Sequence, residues 1–195
     1  MNYIQSSFFL VPIGIGSTVL LYLSSNNGDK YSLFTDNGTY DEHIKFLLLL
    51  SFVYFFIDFC LMIVRYKPEY KIYFVHHMLG IISIPLIYFR CYEIIKYLLA
   101  YLTFELSTPL FNIASYCHKK KIVNIYAKLV NLLFFSIFTI IRVIFGSYLT
   151  YKTVPLFYNM DYPLKFLMFF PIALQIMNYN WYRKLVMILI KKKKN

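Results

Sequence analysis

Apolar residues come in six long runs along the 195-residue chain, and short polar stretches separate them. A helix needs about 20 mostly apolar residues to cross the roughly 30 Å hydrocarbon layer of a bilayer. The runs approach or exceed that length, so the pattern predicts an all-α fold, a polytopic transmembrane helical bundle of about six spans. The predicted spans cover approximately residues 5–23, 43–65, 71–90, 93–115, 122–150 and 162–190.

The polar stretches are too short to hold a second domain, so we predict one transmembrane domain over residues 1–195. Residues 1–42 comprise the first span and the loop after it. The helices that carry the polar motifs occupy residues 43–190, and residues 191–195 form a basic tail.

The first apolar run is the least regular, because Pro12, Gly14 and Gly16 weaken it as a helix. A cleaved signal peptide normally has a basic segment before its apolar core. No Lys or Arg precedes this run, so we expect a retained span. Cleavage would leave five spans.

Composition agrees with a membrane protein, since 59% of the residues are hydrophobic and only 15% are charged. If the spans alternate and the C-terminus is cytosolic, the segments 65–71, 119–121 and 183–194 carry the whole net charge of +11. Positive charge on the cytosolic side is the usual rule, so both termini are expected in the cytosol. Nucleic-acid binding needs a basic patch on a solvated face, so we expect no nucleic-acid partner. The expected partners are the bilayer and its lipids, and the sequence identifies no protein partner.

Two short motifs agree with this orientation. Asn37 begins the sequon Asn-Gly-Thr in an acidic loop, and a sequon is glycosylated only on the lumenal side. Lys192 and Lys193 stand fourth and third from the last residue, which resembles the dilysine signal for retrieval to the endoplasmic reticulum. The alternative for these lysines is a basic flank that anchors the last span at the interface.

Polar side chains recur at helical spacing inside five of the predicted spans, although an ionisable group there costs about 2.5–3.5 kcal/mol. The stripes comprise Ser51, Tyr54, Asp58 and Arg65; His76, His77, Gly80 and Ser83; Glu105, Thr108 and Asn112; Asn131, Thr139, Arg142 and Gly146; and Gln175, Asn178 and Tyr182. We predict that these stripes turn toward one shared interior. The residues predicted to line a lipid site or cavity there are Asp58, Thr108, Asn112, Arg142, Gln175 and Asn178.

Structural roles are the alternative for each of these groups. Polar contacts between membrane helices stabilise packing by about 0.6 kcal/mol each, and Asp58 or Glu105 can form an ion pair with Arg142. Pro109 cannot donate a hydrogen bond to the carbonyl of Glu105, so we expect a kink that frees this carbonyl.

Metal chemistry is not expected. The chain has only four histidines, too few for the histidine boxes of a membrane di-iron enzyme. His76 and His77 are adjacent and point about 100° apart on a helix, unlike the i, i+4 pair of a zinc helix. We therefore predict no metal and no cofactor.

Five fragments together carry a family resemblance. They are FIDFCLM around Asp58, VHHMLGI at 75–81, FELSTPLFN at 104–112, IIRVIFGSYL around Arg142 and LQIMNYNWYRKL at 174–185. In this order they resemble the TLC-domain family of endoplasmic-reticulum membrane proteins, which includes ceramide synthases and the TRAM translocation proteins. They are most similar to the TLCD branch. The resemblance implies a multi-pass protein of the endoplasmic reticulum, in a host membrane if the chain is viral.

The catalytic set of the ceramide synthases is incomplete in this chain. The synthases combine a double histidine with a downstream His-Asp-x-x-Asp element, and the matching positions here begin with Phe104, Glu105 and end with Thr108. The resemblance therefore implies a protein that binds or senses lipid and regulates membrane lipid composition. An acyltransferase that uses acyl-CoA is one alternative, with His76 or His77 as general base and Glu105 orienting it. A non-catalytic translocation or cargo-transport factor is the other, so whether the chain is an enzyme stays open.

Overall fold

The computed structural model describes residues 3–26, 42–66, 71–90, 94–162 and 164–194, with side chains described from Leu10 to Tyr22 and from Glu42 to Ile190 within these ranges. The helices are α1 (Tyr3–Asn26), α2 (Glu42–Val64), α3 (Lys71–Arg90), α4 (Ile95–Leu102), α5 (Ser107–Lys119), α6 (Ile125–Phe138), α7 (Gly146–Tyr158) and α8 (Phe169–Lys194). A 3₁₀ turn (Thr103–Leu106) joins α4 to α5, a π-helical segment (Thr139–Phe145) joins α6 to α7, and a second 3₁₀ turn (Leu164–Met168) precedes α8. The described residues contain no strand, and the all-α prediction is confirmed.

Three of the described helices are long and apolar enough to cross a membrane. They are Glu42–Val64, Lys71–Arg90 and the continuous helix Ile125–Tyr158, which correspond to the second, third and fifth predicted spans. The shorter apolar stretch Leu10–Tyr22 lies within the first predicted span. The continuous helix Ile125–Tyr158 runs past residue 150, the predicted end of the fifth span. Pro155 lies inside this helix and does not terminate it.

The last helix also extends further than the apolar pattern indicates. Residues 191–194, predicted as part of a separate basic tail, continue α8 as helix. Lysine is a good helix former, so a run of lysines prolongs a helix that an apolar segment has started.

The chain divides into two compact units, Met1–Pro109 and Leu110–Asn195. In the first unit α2 packs along α3, and α1 packs against α4 and the 3₁₀ turn that follows it. The core of this unit is apolar and includes Leu10, Ile13, Ile44, Leu99 and Phe104. The first helix is therefore part of the unit that holds the polar residues of α2 and α3.

The contact between α1 and the 3₁₀ turn requires a glycine. A Cβ added at Gly14 would lie 2.9 Å from the backbone nitrogen of Leu106, closer than real Cβ atoms approach. At Gly16 the nearest atom is Cδ1 of the flexible Leu47 side chain, at 3.1 Å. Gly14 thus fixes how closely α1 approaches the backbone next to Glu105.

In the second unit α7 packs against the 164–168 turn, and α8 packs against α7 and the π-helical segment. A tight turn separates α5 from α6. Lys121 adopts a left-handed conformation with φ 53°, and the amides of Lys121 and Ile122 donate to the carbonyls of His118 and Cys117. This is the hydrogen-bond pattern of a Schellman motif, which ends α5.

Alanine at Gly14 and at Gly16 should have opposite effects. Gly16→Ala gains helix propensity and displaces only a side-chain end, so its stability should equal or exceed that of the wild type. Gly14→Ala must move the backbone at Leu106 and should lose about 1–3 kcal/mol. Thermal unfolding of the purified proteins in detergent measures both, and equal midpoints for the two variants would contradict the packing described here.

Candidate functional site

His77 of α3 contacts a backbone carbonyl on one side and a carboxylate on the other. Its Nδ1 lies 2.8 Å from the carbonyl oxygen of Tyr73, which can only accept, so Nδ1 carries a hydrogen and donates it. Its Nε2 lies 2.9 Å from Oδ2 of Asp58 in α2. This contact is short, but its geometry is not that of a hydrogen bond.

His76 makes the matching contact with Glu105. The Nε2 atom of His76 and Oε1 of Glu105 are 3.4 Å apart, and the Thr108 hydroxyl donates to Oε2 of Glu105 at 3.0 Å. The Glu105 side chain is buried in the 3₁₀ turn. Both carboxylate oxygens therefore have partners from different elements.

Pro109 explains where the 3₁₀ turn occurs. A proline disfavours the regular α-helical ladder in the preceding turn, and it is tolerated in the first turn of a helix. The chain accordingly tightens into 3₁₀ geometry at 103–106 and begins α5 at Ser107, with Pro109 in the first turn. The structure shows this short 3₁₀ turn, which carries Glu105; a kink that frees the Glu105 carbonyl stays a prediction.

Phe55 of α2 packs against both imidazoles. Its ring centroid lies 5.7 Å from that of His76 and 5.4 Å from that of His77, both edge-on. The approach depends on Gly80, where an added Cβ would lie 2.9 Å from Cδ2 of Phe55. The sequence analysis did not identify Phe55 as part of the site. Gly80, one turn after the histidines, was the signal that another helix packs closely there.

Exposure shows where this polar cluster, defined as Asp58, His76, His77, Glu105 and Thr108, reaches the surface. The Asp58 side chain is 24% exposed and that of His76 12%, whereas Glu105 and His77 retain only 4% and 6%. Each carboxylate faces an imidazole, so the buried polar groups have partners. The cluster is thus a nearly buried polar group in which Asp58 is the most exposed ionisable side chain.

A second polar group lies in the second unit. Arg142 of the π-helical segment is buried, and its guanidinium lies over the rings of Phe138 and Trp181 at 5.7 and 5.8 Å. Asn178 donates to the Arg142 carbonyl through Nδ2 at 3.4 Å. Gln175 donates through Nε2 to the Val143 carbonyl at 3.4 Å and to Ser147 Oγ at 3.1 Å. Cation–π contacts of this kind stabilise a desolvated guanidinium by about 2 kcal/mol or more.

The remaining predicted residues fall in several places. Asn112 is buried in α5. The prediction that Asn131 and Arg65 face an interior is wrong, since both are exposed and Asn131 donates to the Ala127 carbonyl of its own helix. Helical periodicity identified which residues share a face of a helix. It did not show where along the helix that face stops being buried.

Asn37 lies outside the described residues, and Lys192 and Lys193 belong to the part of α8 whose side chains are not described. In the part of the chain that the structure describes, no three His, Cys, Asp or Glu side chains are arranged to hold a metal ion. A single interior shared by all five stripes stays a prediction.

Comparison with known proteins identifies similar chains. A family model of the TLC domain matches residues 1–187, through both compact units. The chain is also 43% identical over 192 residues to the TLC domain-containing protein L438 of Acanthamoeba polyphaga mimivirus. That alignment covers 98% of this chain and 96% of the relative.

Loss of the Thr108 hydroxyl tests the support of Glu105. Thr108→Val keeps the shape of the side chain but removes the donor to Oε2, so the free energy of unfolding should fall by about 1–2 kcal/mol. Thr108→Ser retains the hydroxyl and serves as the matched control. Thermal unfolding in detergent compares the two, and a Val variant as stable as the Ser variant would show that the hydrogen bond contributes nothing.

Proposed function

This chain belongs to the TLC domain family, and from that membership we propose that it binds or senses membrane lipid and thereby regulates membrane lipid composition. The observation that carries the proposal is the polar cluster. Four ionisable side chains from α2, α3 and the 3₁₀ turn meet among apolar helices, and Asp58 is the most exposed of them.

Lipid binding accounts for this arrangement better than helix adhesion alone. Simple polar contacts hold membrane helices together at about 0.6 kcal/mol each, without the burial cost of ionisable groups. Asp58 and His76, the partly exposed members of the cluster, can meet a polar headgroup, while α2 and α3 expose large apolar side chains to acyl chains. These include Phe46, Phe56, Met78 and Phe89.

The proposed location is the endoplasmic reticulum of a host cell, because the similar protein L438 is viral. Both termini are proposed to be cytosolic, which would place Asn37 in the lumen and Lys192 and Lys193 in the cytosol. The net charge of +11, concentrated on the stretches assigned to the cytosol, supports this orientation.

Retention of lipid during purification tests the proposal. Glu105→Gln keeps the shape of the side chain but removes its charge, so co-purified lipid per protein should fall about tenfold, as expected when a charge-assisted hydrogen bond of 1.5–3 kcal/mol is lost. Mass spectrometry of lipid extracted from the detergent-solubilised protein gives the ratio.

The matched control is Glu42→Gln, because Glu42 is an exposed glutamate at the start of α2 that pairs with Lys45. It should retain lipid at the wild-type level. If the folded wild-type protein carries no lipid, or if the two variants retain equal amounts, the lipid-binding proposal is wrong.

Acyl transfer is the second candidate, and the histidine contacts favour it. His77 has Nδ1 committed to the Tyr73 carbonyl and Nε2 against Asp58, so the role of base falls to His76, oriented by Glu105 through Nε2. Nδ1 of His76 would take the proton of an attacking amine or hydroxyl as the new bond to the acyl carbon forms. The thiolate of CoA would leave when the tetrahedral intermediate collapses, and it would receive that proton.

An activity assay separates this candidate from lipid binding alone. Purified protein is incubated with acyl-CoA and a panel of amine and lysolipid acceptors, and acylated products are measured. Under this candidate His76→Ala abolishes product, whereas His118→Ala, a change at an exposed histidine in the last turn of α5, leaves it unchanged. Product that does not depend on His76, or no product at all, would eliminate the acyl-transfer mechanism.

A further inference from the structure

The π-helical segment 139–145 positions two side-chain amides of α8. A π-helical turn widens the backbone and often occurs at functional sites. Here the consecutive carbonyls of Arg142 and Val143 accept hydrogen bonds from Asn178 and Gln175, each at 3.4 Å. The two amides lie three residues apart on α8, so they share one face and both meet the same turn.

These hydrogen bonds fix the orientation of each amide. A carbonyl oxygen can only accept, so each NH₂ group must face it and each amide oxygen must point elsewhere. Oε1 of Gln175 and Oδ1 of Asn178 are buried, and among the described residues neither has a hydrogen-bond partner. The residues themselves are 5% and 0% exposed. We call these two oxygens the acceptor pair.

Buried acceptors without donors are costly. Each unsatisfied group destabilises a protein by about 1–3 kcal/mol, and the cost rises in hydrocarbon, where water is absent. Ser147 cannot relieve it, because its hydroxyl donates to the Val143 carbonyl while accepting from Gln175. The acceptor pair therefore requires a donor from outside the described chain.

The hydrogen bonds of Gln175 continue through Ser147 to an exposed side chain of α8. Ser147 Oγ lies 2.7 Å from the Tyr179 hydroxyl, and Tyr179 is 48% exposed. Apolar side chains surround this polar spot on the outward face, namely Ile140, Ile144, Tyr148 and Ile176. Ser147 belongs to the helix Ile125–Tyr158, the longest apolar helix of the described chain. It lies about 16 Å from the end of that helix at Tyr158, given 1.5 Å per residue. In a helix that crosses a bilayer, this position would be within reach of lipid hydroxyls.

We propose that the acceptor pair binds the hydroxyl headgroup of a neutral lipid, which enters beside Ser147 and Tyr179. Each amide oxygen accepts one hydrogen, so an uncharged O–H group satisfies one oxygen of the pair. A cationic headgroup is disfavoured because the buried guanidinium of Arg142 lies on the same π-helical segment. The inference rests on the proposed lipid binding, and it adds a headgroup chemistry and a location in the second unit.

Photo-crosslinking tests the site directly. The probe is an alkyne-tagged, photoactivatable diacylglycerol in phosphatidylcholine nanodiscs that contain the full chain. Its comparison probe is the same lipid with the hydroxyl capped as a methyl ether. The diacylglycerol should label peptides from 139–147 and α8, and capping should reduce that labelling about tenfold, because it removes the donated hydrogen bond.

Variants provide the second arm of the experiment. Asn178→Leu removes one acceptor and should reduce labelling by a similar factor. Asn180→Leu is the matched control, since Asn180 is an exposed amide on another face of the same helix, and it should leave labelling unchanged. Gln175→Met is the second site variant, and thermal unfolding verifies that each variant is folded. The two-probe comparison uses the wild-type chain and stands even if both variants fail to fold.

The outcomes separate this inference from the proposed function. Equal labelling by the capped and uncapped probes would overturn the inference and assign the acceptor pair to water. Labelling confined to α2, α3 and the 103–106 turn would also overturn it while supporting lipid binding at the polar cluster. No labelling, combined with no co-purified lipid, would contradict both.

Discussion

Ionisable side chains among apolar helices need partners, and the pairing of two α3 imidazoles with carboxylates of α2 and the 3₁₀ turn meets that need. His77 faces Asp58 at 2.9 Å, and His76 faces Glu105 at 3.4 Å. Breaking one partner of a buried pair leaves an uncompensated charge, which costs about 3–5 kcal/mol. These contacts therefore constrain the separation of α2, α3 and the turn at 103–106. Gly80 and Gly14 permit the close packing that keeps the elements in place.

The two polar groups of the chain have different chemistry. The cluster in the first unit combines carboxylates with imidazoles, whereas the α8 amides that contact the π-helical segment offer neutral acceptors. Charged and neutral headgroup interactions are both useful to a protein that handles membrane lipid. Family membership establishes a TLC-type membrane protein, and these residues give the proposal its chemical content.

The helices could be predicted because apolar runs of spanning length leave the chain few alternatives. Helical periodicity also selected Asp58, Glu105 and Arg142 correctly as buried or partly buried groups. It offered Arg142 as a partner of Asp58 and did not identify His77, because partner choice depends on how separate helices pack. Phe55 was hidden in an apolar run, and nothing in the sequence marked residues 139–145 as π-helical. Asn131 has the helical spacing of the polar stripe on its helix, but it is exposed near the start of that helix. The spacing of residues alone does not indicate whether that part of the helix is buried.

A double-mutant cycle between Asp58 and His77 tests the central claim most directly. Asp58→Asn and His77→Gln are made singly and together, and the free energy of unfolding is measured for all four proteins in the same detergent. Direct pairing predicts that the single effects do not add, with a coupling energy of about 1–3 kcal/mol. Additive effects, with a coupling below about 0.5 kcal/mol, would mean that the imidazole and the carboxylate do not hold each other in place.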